Sequence, residues 1–168
     1  NLARPTEAFS ARGEITVGDF DRRDYRASIS GPIAGERLRG YAGFTSRARD
    51  GISYNLFDGR SNLNDEDVEA WRLALEWQPN DAGNIYLNGA ALDERSSPGI
   101  GAPQLLSFGR DYGVRNRNIN VDPSRQYQKV FVDYANLTSS YTPGETWAFK
   151  SITGWRYTSF DAHLDTDG

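Results

Sequence analysis

The sequence has no cysteine, no methionine and a single histidine, His163. Without cysteine there is neither a disulfide framework nor thiolate chemistry, and one histidine leaves little room for a histidine-rich metal site. No run of about 18 apolar residues occurs, so the sequence excludes a transmembrane helix. Acidic and basic residues are mixed along the chain and sum to a net charge of -4. This balance argues against nucleic acid as a partner, because phosphate binding needs a clustered basic surface.

Patterns for catalysis are also missing. No nucleophile elbow occurs, and the glycines of 99–101 and 109–113 lack the strand-then-helix context that phosphate binding requires. The acidic runs 64–67 and 165–168 do not complete the pattern of a calcium-binding loop. We therefore predict that the protein is not an enzyme and holds neither a cofactor nor a resident metal ion.

The sequence does contain alternation with a period of two, most clearly in Val68–Gln78. Arg72 and Glu76 lie on one face of this segment. The other face holds Trp71, Leu73, Leu75 and Trp77. A helix would scatter these four large side chains around its circumference, whereas a strand places them together. The segment is therefore predicted to be a strand with one apolar and one polar face.

Six further segments alternate in the same way, which makes seven predicted strands. In the last two, both faces hold apolar groups, and the pattern leaves open which face points inward. Several segments reach the 9–11 residues that a tilted transmembrane strand needs, longer than the usual strand of a soluble protein. The predicted strands are Ala8–Asp19, Asp24–Ser30, Arg37–Arg49, Val68–Gln78, Asn84–Asp93, Gln126–Ser140 and Trp147–Asp161.

The lengths of the connections alternate as well. After a tight first link, they are short at 31–36, long at 50–67, short at 79–83, long at 94–125 and short at 142–145. Tight turns on one side and long loops on the other are typical of outer-membrane barrels, with the turns in the periplasm. The sequence therefore predicts an all-β, antiparallel up-and-down meander of about seven strands, part of a large transmembrane β-barrel.

Five motifs follow one another in a characteristic order along nearly the whole chain, namely Arg4–Thr6, Ser28–Leu38, Arg49–Gly51, Leu63–Pro79 and Lys150–Arg156. Together they resemble the barrel of TonB-dependent outer-membrane receptors. In that family the first motif is similar to the end of the plug domain, and the second resembles the first periplasmic turn. The others resemble the start of the next extracellular loop, a loop-then-strand signature and a later barrel strand.

The resemblance implies a domain division and a function. Residues 1–6 would form the end of the plug at its junction with the barrel, and residues 7–168 part of the barrel. Plugged transporters of this kind have about 22 strands, so seven strands are expected to be an excerpt. The family imports a large, scarce nutrient, typically a ferric siderophore, and the inner-membrane TonB complex supplies energy through the plug. The implied location is the outer membrane of a Gram-negative bacterium, in contact with lipid and lipopolysaccharide.

Two alternative hypotheses are consistent with parts of this pattern. A passive, porin-like barrel would have the same strands but would not need a plug junction at Arg4–Thr6. A soluble, carbohydrate-binding β-sandwich would need a buried apolar face on each of two sheets. The upstream reading frame distinguishes the first alternative, and the strand topology distinguishes the second.

Candidate binding residues lie in the two long loops. Arginine forks suit carboxylates and phosphates, and tyrosine adds a flat contact surface. We therefore predict that the loops capture an anionic ligand. The candidates are Arg110, Tyr112, Arg115 and Arg117 in the second loop, and Tyr54, Phe57 and Arg60 in the first.

The four tryptophans are candidates for membrane-interface girdles, where amphipathic rings sit at the level of the lipid headgroups. Two of them, Trp71 and Trp77, are separated by roughly 20 Å along one strand face, given a rise of about 3.3 Å per residue. Allowing for tilt, that distance approaches the apolar band of ~25 Å. The predicted interface residues are Trp71, Trp77, Trp147 and Trp155.

Overall fold

The protein is described here from a computed structural model, which covers residues 4–97, 118–119 and 121–164. These ranges contain ten strands and one short 3-10 helix, Pro123–Arg125. None of their helices is long and apolar enough to cross a membrane. The strands are β1 (Ser10–Gly18), β2 (Arg22–Ala34), β3 (Leu38–Arg49), β4 (Ser53–Asn55), β5 (Arg60–Leu63), β6 (Glu66–Asn80), β7 (Gly83–Ser96), β8 (Asn118–Ile119), β9 (Tyr127–Tyr141) and β10 (Phe149–His163).

Seven long strands form one sheet in the order β1-β2-β3-β6-β7-β9-β10. Every neighbouring pair is antiparallel, and each long strand pairs only with the long strands before and after it in the chain. Such nearest-neighbour pairing defines an up-and-down meander without crossovers. The predicted topology is confirmed, and the β-sandwich alternative is wrong because the long strands do not divide into two sheets.

The two faces of this sheet differ in burial as well as in chemistry. The register places all of its buried side chains other than glycine on the same face, among them Asp24, Glu76 and Asn88. Strands of membrane barrels direct their polar side chains towards the interior, so we call this polar face the inner one. The large apolar side chains of β6, including Leu73, point to the opposite, outer face and are exposed.

The register also orients β9 and β10, which the sequence pattern left open. Tyr134 lies opposite Arg156 on the inner face, and Ala135 lies opposite Trp155 on the outer face. Alternation then places Tyr157 on the outer face. The apolar side chains on the inner face of these two strands had made the pattern ambiguous.

The predicted strand positions are correct to within a few residues, with two differences. The long connections contain a second sheet of three short strands in the order β5-β4-β8, which the sequence pattern does not predict. Trp147 was predicted to open the last strand but lies before β10, which begins at Phe149. Pro143 and Gly144 precede it, and their turn geometry delays the start of the strand.

The outer-face assignment predicts a difference between two identical substitutions. In the intact barrel, Leu73→Arg would place a charge in lipid and should lower the free energy of unfolding by about 2–4 kcal/mol near the midplane. Leu92→Arg makes the same change on the inner face of β7, where water is available, and should cost much less. Both can be measured by denaturant unfolding of the full-length protein in lipid vesicles. Equal losses would contradict the assignment of the faces.

Candidate ligand-facing loops and inner wall

The two long loops meet at the same end of the large sheet. One joins β3 to β6 and contains β4 and β5, and the other joins β7 to β9 and contains β8. β4 pairs antiparallel with β5 of its own loop and parallel with β8 of the other loop. The prediction that both long loops lie at one end is therefore confirmed. We call the sheet β5-β4-β8, with the residues that pack against it, the loop unit.

Asn55 joins the two loops through its side chain. It has no exposed surface, and its Nδ2 donates a hydrogen bond to the carbonyl oxygen of Val121 at 2.9 Å. The backbone N–H of Val121 and that of Phe57 both donate to its Oδ1, each at 3.2 Å. The amide thus pairs with the second loop much as a neighbouring strand would. Because all three partners are backbone groups, the contact fixes the relative position of the loops.

Two apolar side chains are buried in the same loops and form a small core. Leu63 and Val121 are fully or almost fully buried, although both lie in connections between long strands. Burying such side chains contributes roughly 1.5–3 kcal/mol each. The loop unit is therefore a packed element rather than an extended surface segment.

The loop unit is attached to the large sheet, the wall of the predicted barrel, where the long strands end. The N–H of Asn64 donates to the carbonyl oxygen of Ser97 at 2.7 Å, and Arg49 donates to the carbonyl oxygen of Asn64 at 2.6 Å. The N–H of Ser97 donates in turn to the carboxylate of Asp65. Partial burial raises the pKa of Asp65, and this hydrogen bond opposes the shift. The start of the second loop is thus tied to the end of the first.

The structure places the candidate residues of the first loop on one hairpin. Tyr54 and Phe57 are exposed, and Arg60 is also exposed at the start of β5. Tyr54 pairs with Ser61 and Asn55 pairs with Arg60, so Tyr54 and Arg60 belong to opposite faces of the hairpin. The three candidates therefore do not form a single surface. The candidates of the second loop, Arg110, Tyr112, Arg115 and Arg117, lie outside the described residues.

The N-terminal segment lies against the inner face of the sheet. Arg4 Nη1 donates to Glu76 Oε1 at 3.0 Å, and Asn84 Nδ2 donates to the same oxygen at 2.9 Å. The Arg4 guanidinium also sits 5.1 Å from the centre of the Tyr86 ring. The N–H of Thr6 donates to Ser30 Oγ at 2.8 Å. These contacts hold the segment on the wall from β2 to β7.

Glu76 is the centre of these contacts and was not a predicted site residue. Its side chain is 6% exposed, and a buried carboxylate is stable only when it is paired and hydrogen-bonded. Removing Arg4 would leave that charge with Asn84 alone among its described partners. The pattern in the sequence marks Glu76 only as one polar residue of an alternating strand, so nothing there distinguishes it.

Further ion pairs follow the inner face towards the loop unit. Arg22 pairs with Asp24 at 2.7 Å, and Arg47 pairs with Glu66 at 2.6 Å. Asp24 is buried in spite of its charge. These pairs line the lumen with fixed charges of both signs, which is the polar interior expected of a membrane barrel.

Three of the four tryptophans lie on the outer face. Trp71, Trp77 and Trp155 are all exposed, and Trp71 packs on Phe44 with a ring distance of 4.3 Å. Trp147 precedes β10 and stacks with Phe149. Trp77 lies near the short turns, whereas Trp71 lies next to Glu69, where charged residues begin on the outer face. Contact of these rings with the membrane interface stays a prediction.

Solved structures with a similar fold identify the class of architecture. The chain is similar to the ferric yersiniabactin uptake receptor FyuA from Yersinia pestis, with a TM-score of 0.72 and 19% identity, over 92% of this chain and 24% of that chain. It is also similar to a chain in the structure of the FpvAI–pyocin S2 complex, with a TM-score of 0.73 and 15% identity, over 92% and 20% of the two chains. At these identities the likeness defines the fold alone.

The sheet has the fold of part of the wall of a large β-barrel of the kind that these receptor structures contain, as the sequence motifs predicted. The chain spans about a quarter of the first of these solved chains and about a fifth of the second. No family model and no curated protein matches the sequence.

A substitution of Asn55 tests whether this side chain keeps the two long loops ordered. Asn55→Asp keeps the acceptor for Val121 and Phe57 but removes the donor to the Val121 carbonyl and buries a charge. We expect a local loss of about 1–3 kcal/mol. Hydrogen exchange of the full-length protein should show faster exchange in residues 51–63 and 121–126, with the long strands unchanged.

Asp58→Asn is the matched control, because it also exchanges an amide and a carboxylate in this hairpin. Asp58 accepts a hydrogen bond from the N–H of Arg60 at an exposed turn, and asparagine keeps that acceptor. Exchange in the loops should stay near that of the parent. If both variants exchange alike, Asn55 does not hold the loops together.

Proposed function

We propose that this chain is part of an outer-membrane receptor that imports a scarce nutrient, such as a ferric siderophore, with energy supplied through TonB. The observation that carries the proposal is the barrel wall with both long loops at one end and a polar inner face. The similarity to an uptake receptor for ferric yersiniabactin supports it. A passive, porin-like barrel is the second candidate, because it would share the wall.

The position of the N-terminal segment favours the energised transporter. Residues 4–7 lie on the inner face, where Arg4 pairs with Glu76 and Arg39 pairs with Glu7 at 3.3 Å. A plug that fills a barrel and precedes it in the chain must pass into the first strand along this face. We therefore propose that residues 1–6 end such a plug and that residues 7–168 belong to the barrel.

Uptake by whole cells tests the function directly. The full-length receptor would be expressed in Gram-negative cells that lack their own siderophore receptors, with and without TonB. Radioactive iron would be supplied on a panel of siderophores that includes yersiniabactin. We expect uptake of at least one ferric siderophore in cells with TonB and none in cells without it. Uptake that is equal in both strains would favour a porin-like channel, and no uptake of any member would contradict siderophore import.

The loop residues define a narrower proposal about the ligand. The second long loop carries Arg110, Arg115 and Arg117, whereas the first is acidic through residues such as Asp50 and Asp58. We propose that the second loop attracts an anionic ligand and that Tyr112 adds a contact. Phe57 and one face of the first-loop hairpin, with either Tyr54 or Arg60, would add the others. Such attraction should weaken as salt screens the charges.

Replacing Arg110, Arg115 and Arg117 together with glutamine tests this proposal. In the full-length receptor the triple variant should capture the imported ferric siderophore less well, and the difference should shrink at high salt. Equal surface expression, measured by labelling of intact cells, is the control. Capture equal to that of the parent at low salt would show that these arginines are only solvated loop charges.

A further inference from the structure

An apolar groove runs along the outer face of the large sheet near its short turns. Its volume is about 370 Å³, within the range of small-molecule sites. Its floor is on β3, and its sides are on β2 and β6. The residues that shape it are Phe9, Ile29 and Ile33 on one side, Gly40 and Ala42 on the floor, and Leu73 and Leu75 on the other side.

The groove exists because small residues lie between large ones. Gly40 and Ala42 are consecutive outer-face residues of β3, whereas the outer face of β6 beside them carries leucines. Ile33 leans over the floor, so that a Cβ added at Gly40 would lie 2.6 Å from its Cδ1. Phe44 and Trp71, in contact with each other, are the next outer-face pair of β3 and β6 beyond Ala42 and Leu73. Side chains of this sheet, together with Phe9 just before β1, therefore determine the shape of the groove.

The strands beneath the floor and the two sides of the groove already have their neighbours within this sheet. β2, β3 and β6 each have both antiparallel neighbours in the sheet, so closing the barrel adds no strand over them. The side chains along the groove remain exposed, and Ile33 and Leu73 are each more than 60% exposed. Exposed apolar side chains on a barrel wall face lipid, so the groove opens into the hydrocarbon of the membrane.

We propose that this groove is a binding site for an acyl chain of a phospholipid. Its walls are aliphatic, and a concave apolar surface gains dispersion contacts only when a chain fills it. The groove lies in the half of the wall nearest the short turns. In outer-membrane barrels that end faces the periplasm, so the nearby lipid is a phospholipid of the inner leaflet rather than lipopolysaccharide. The inference requires a lipid-facing wall but not transport.

Ala42 offers a way to fill the groove without changing the lumen. Ala42→Phe places a ring on its floor and should displace the chain, whereas Ala135→Phe is a matched control. Ala135 is on the same outer face and in the same cross-strand row, through Leu73 and Gly89, so it lies at a corresponding position along its strand. Ala42→Leu serves as a smaller filling variant where the phenylalanine prevents folding.

The measurement is the lipid retained by the full-length protein after purification in mild detergent, identified by native mass spectrometry. Parent and Ala135→Phe should retain a phospholipid, and the filled variants should retain roughly tenfold less. The proposal is overturned if the filled variants retain as much as the parent, or if the parent retains only detergent or only lipopolysaccharide. Uptake in the cell assay is a separate readout, so failure of transport would not affect this result.

Discussion

Continuous strand pairing is the constraint on which the rest of this structure depends. In the hydrocarbon of a bilayer no water is available, so every backbone N–H and C=O group of a spanning segment must bond within the protein. Five strands of the large sheet meet this requirement, because each of β2, β3, β6, β7 and β9 has two antiparallel neighbours. β1 and β10 have one neighbour each in the sheet. In a membrane the unpaired edge of each of these two strands must therefore pair with another strand of the barrel.

In this sheet the usual distribution of side chains is reversed, because polar side chains are buried and large apolar ones are exposed. The residues buried on the inner face include Asp24, Glu76 and Asn88, whereas Trp71 and Leu73 are exposed on the outer face. The charged residues on that face form ion pairs at close range. In a bilayer the apolar side chains would need no second protein layer, because lipid would cover them. One alternating pattern thus provides both a polar inner face and an apolar outer face.

The wall could be predicted from the sequence because it is built from local periodicity. In Val68–Gln78 each side chain's face follows from its position in the strand, and the tight turns indicate where direction reverses. The loop unit could not be predicted in this way. β4 and β8 are three and two residues long and lie more than 60 positions apart. Asn55 resembles any other loop asparagine in sequence, since its role depends on a distant backbone segment.

The wall and the loop unit are therefore stabilised by different interactions. Backbone ladders hold the wall, and side chains can vary along it as long as alternation is kept. The loop unit depends on a buried amide, a small apolar core and anchoring hydrogen bonds near Asn64 and Ser97. Because Asn55 and these anchors join the two long loops, a force or ligand that displaces one loop acts on the other. A surface at this end of the barrel would thus respond as one body, while its exposed residues remain free to change.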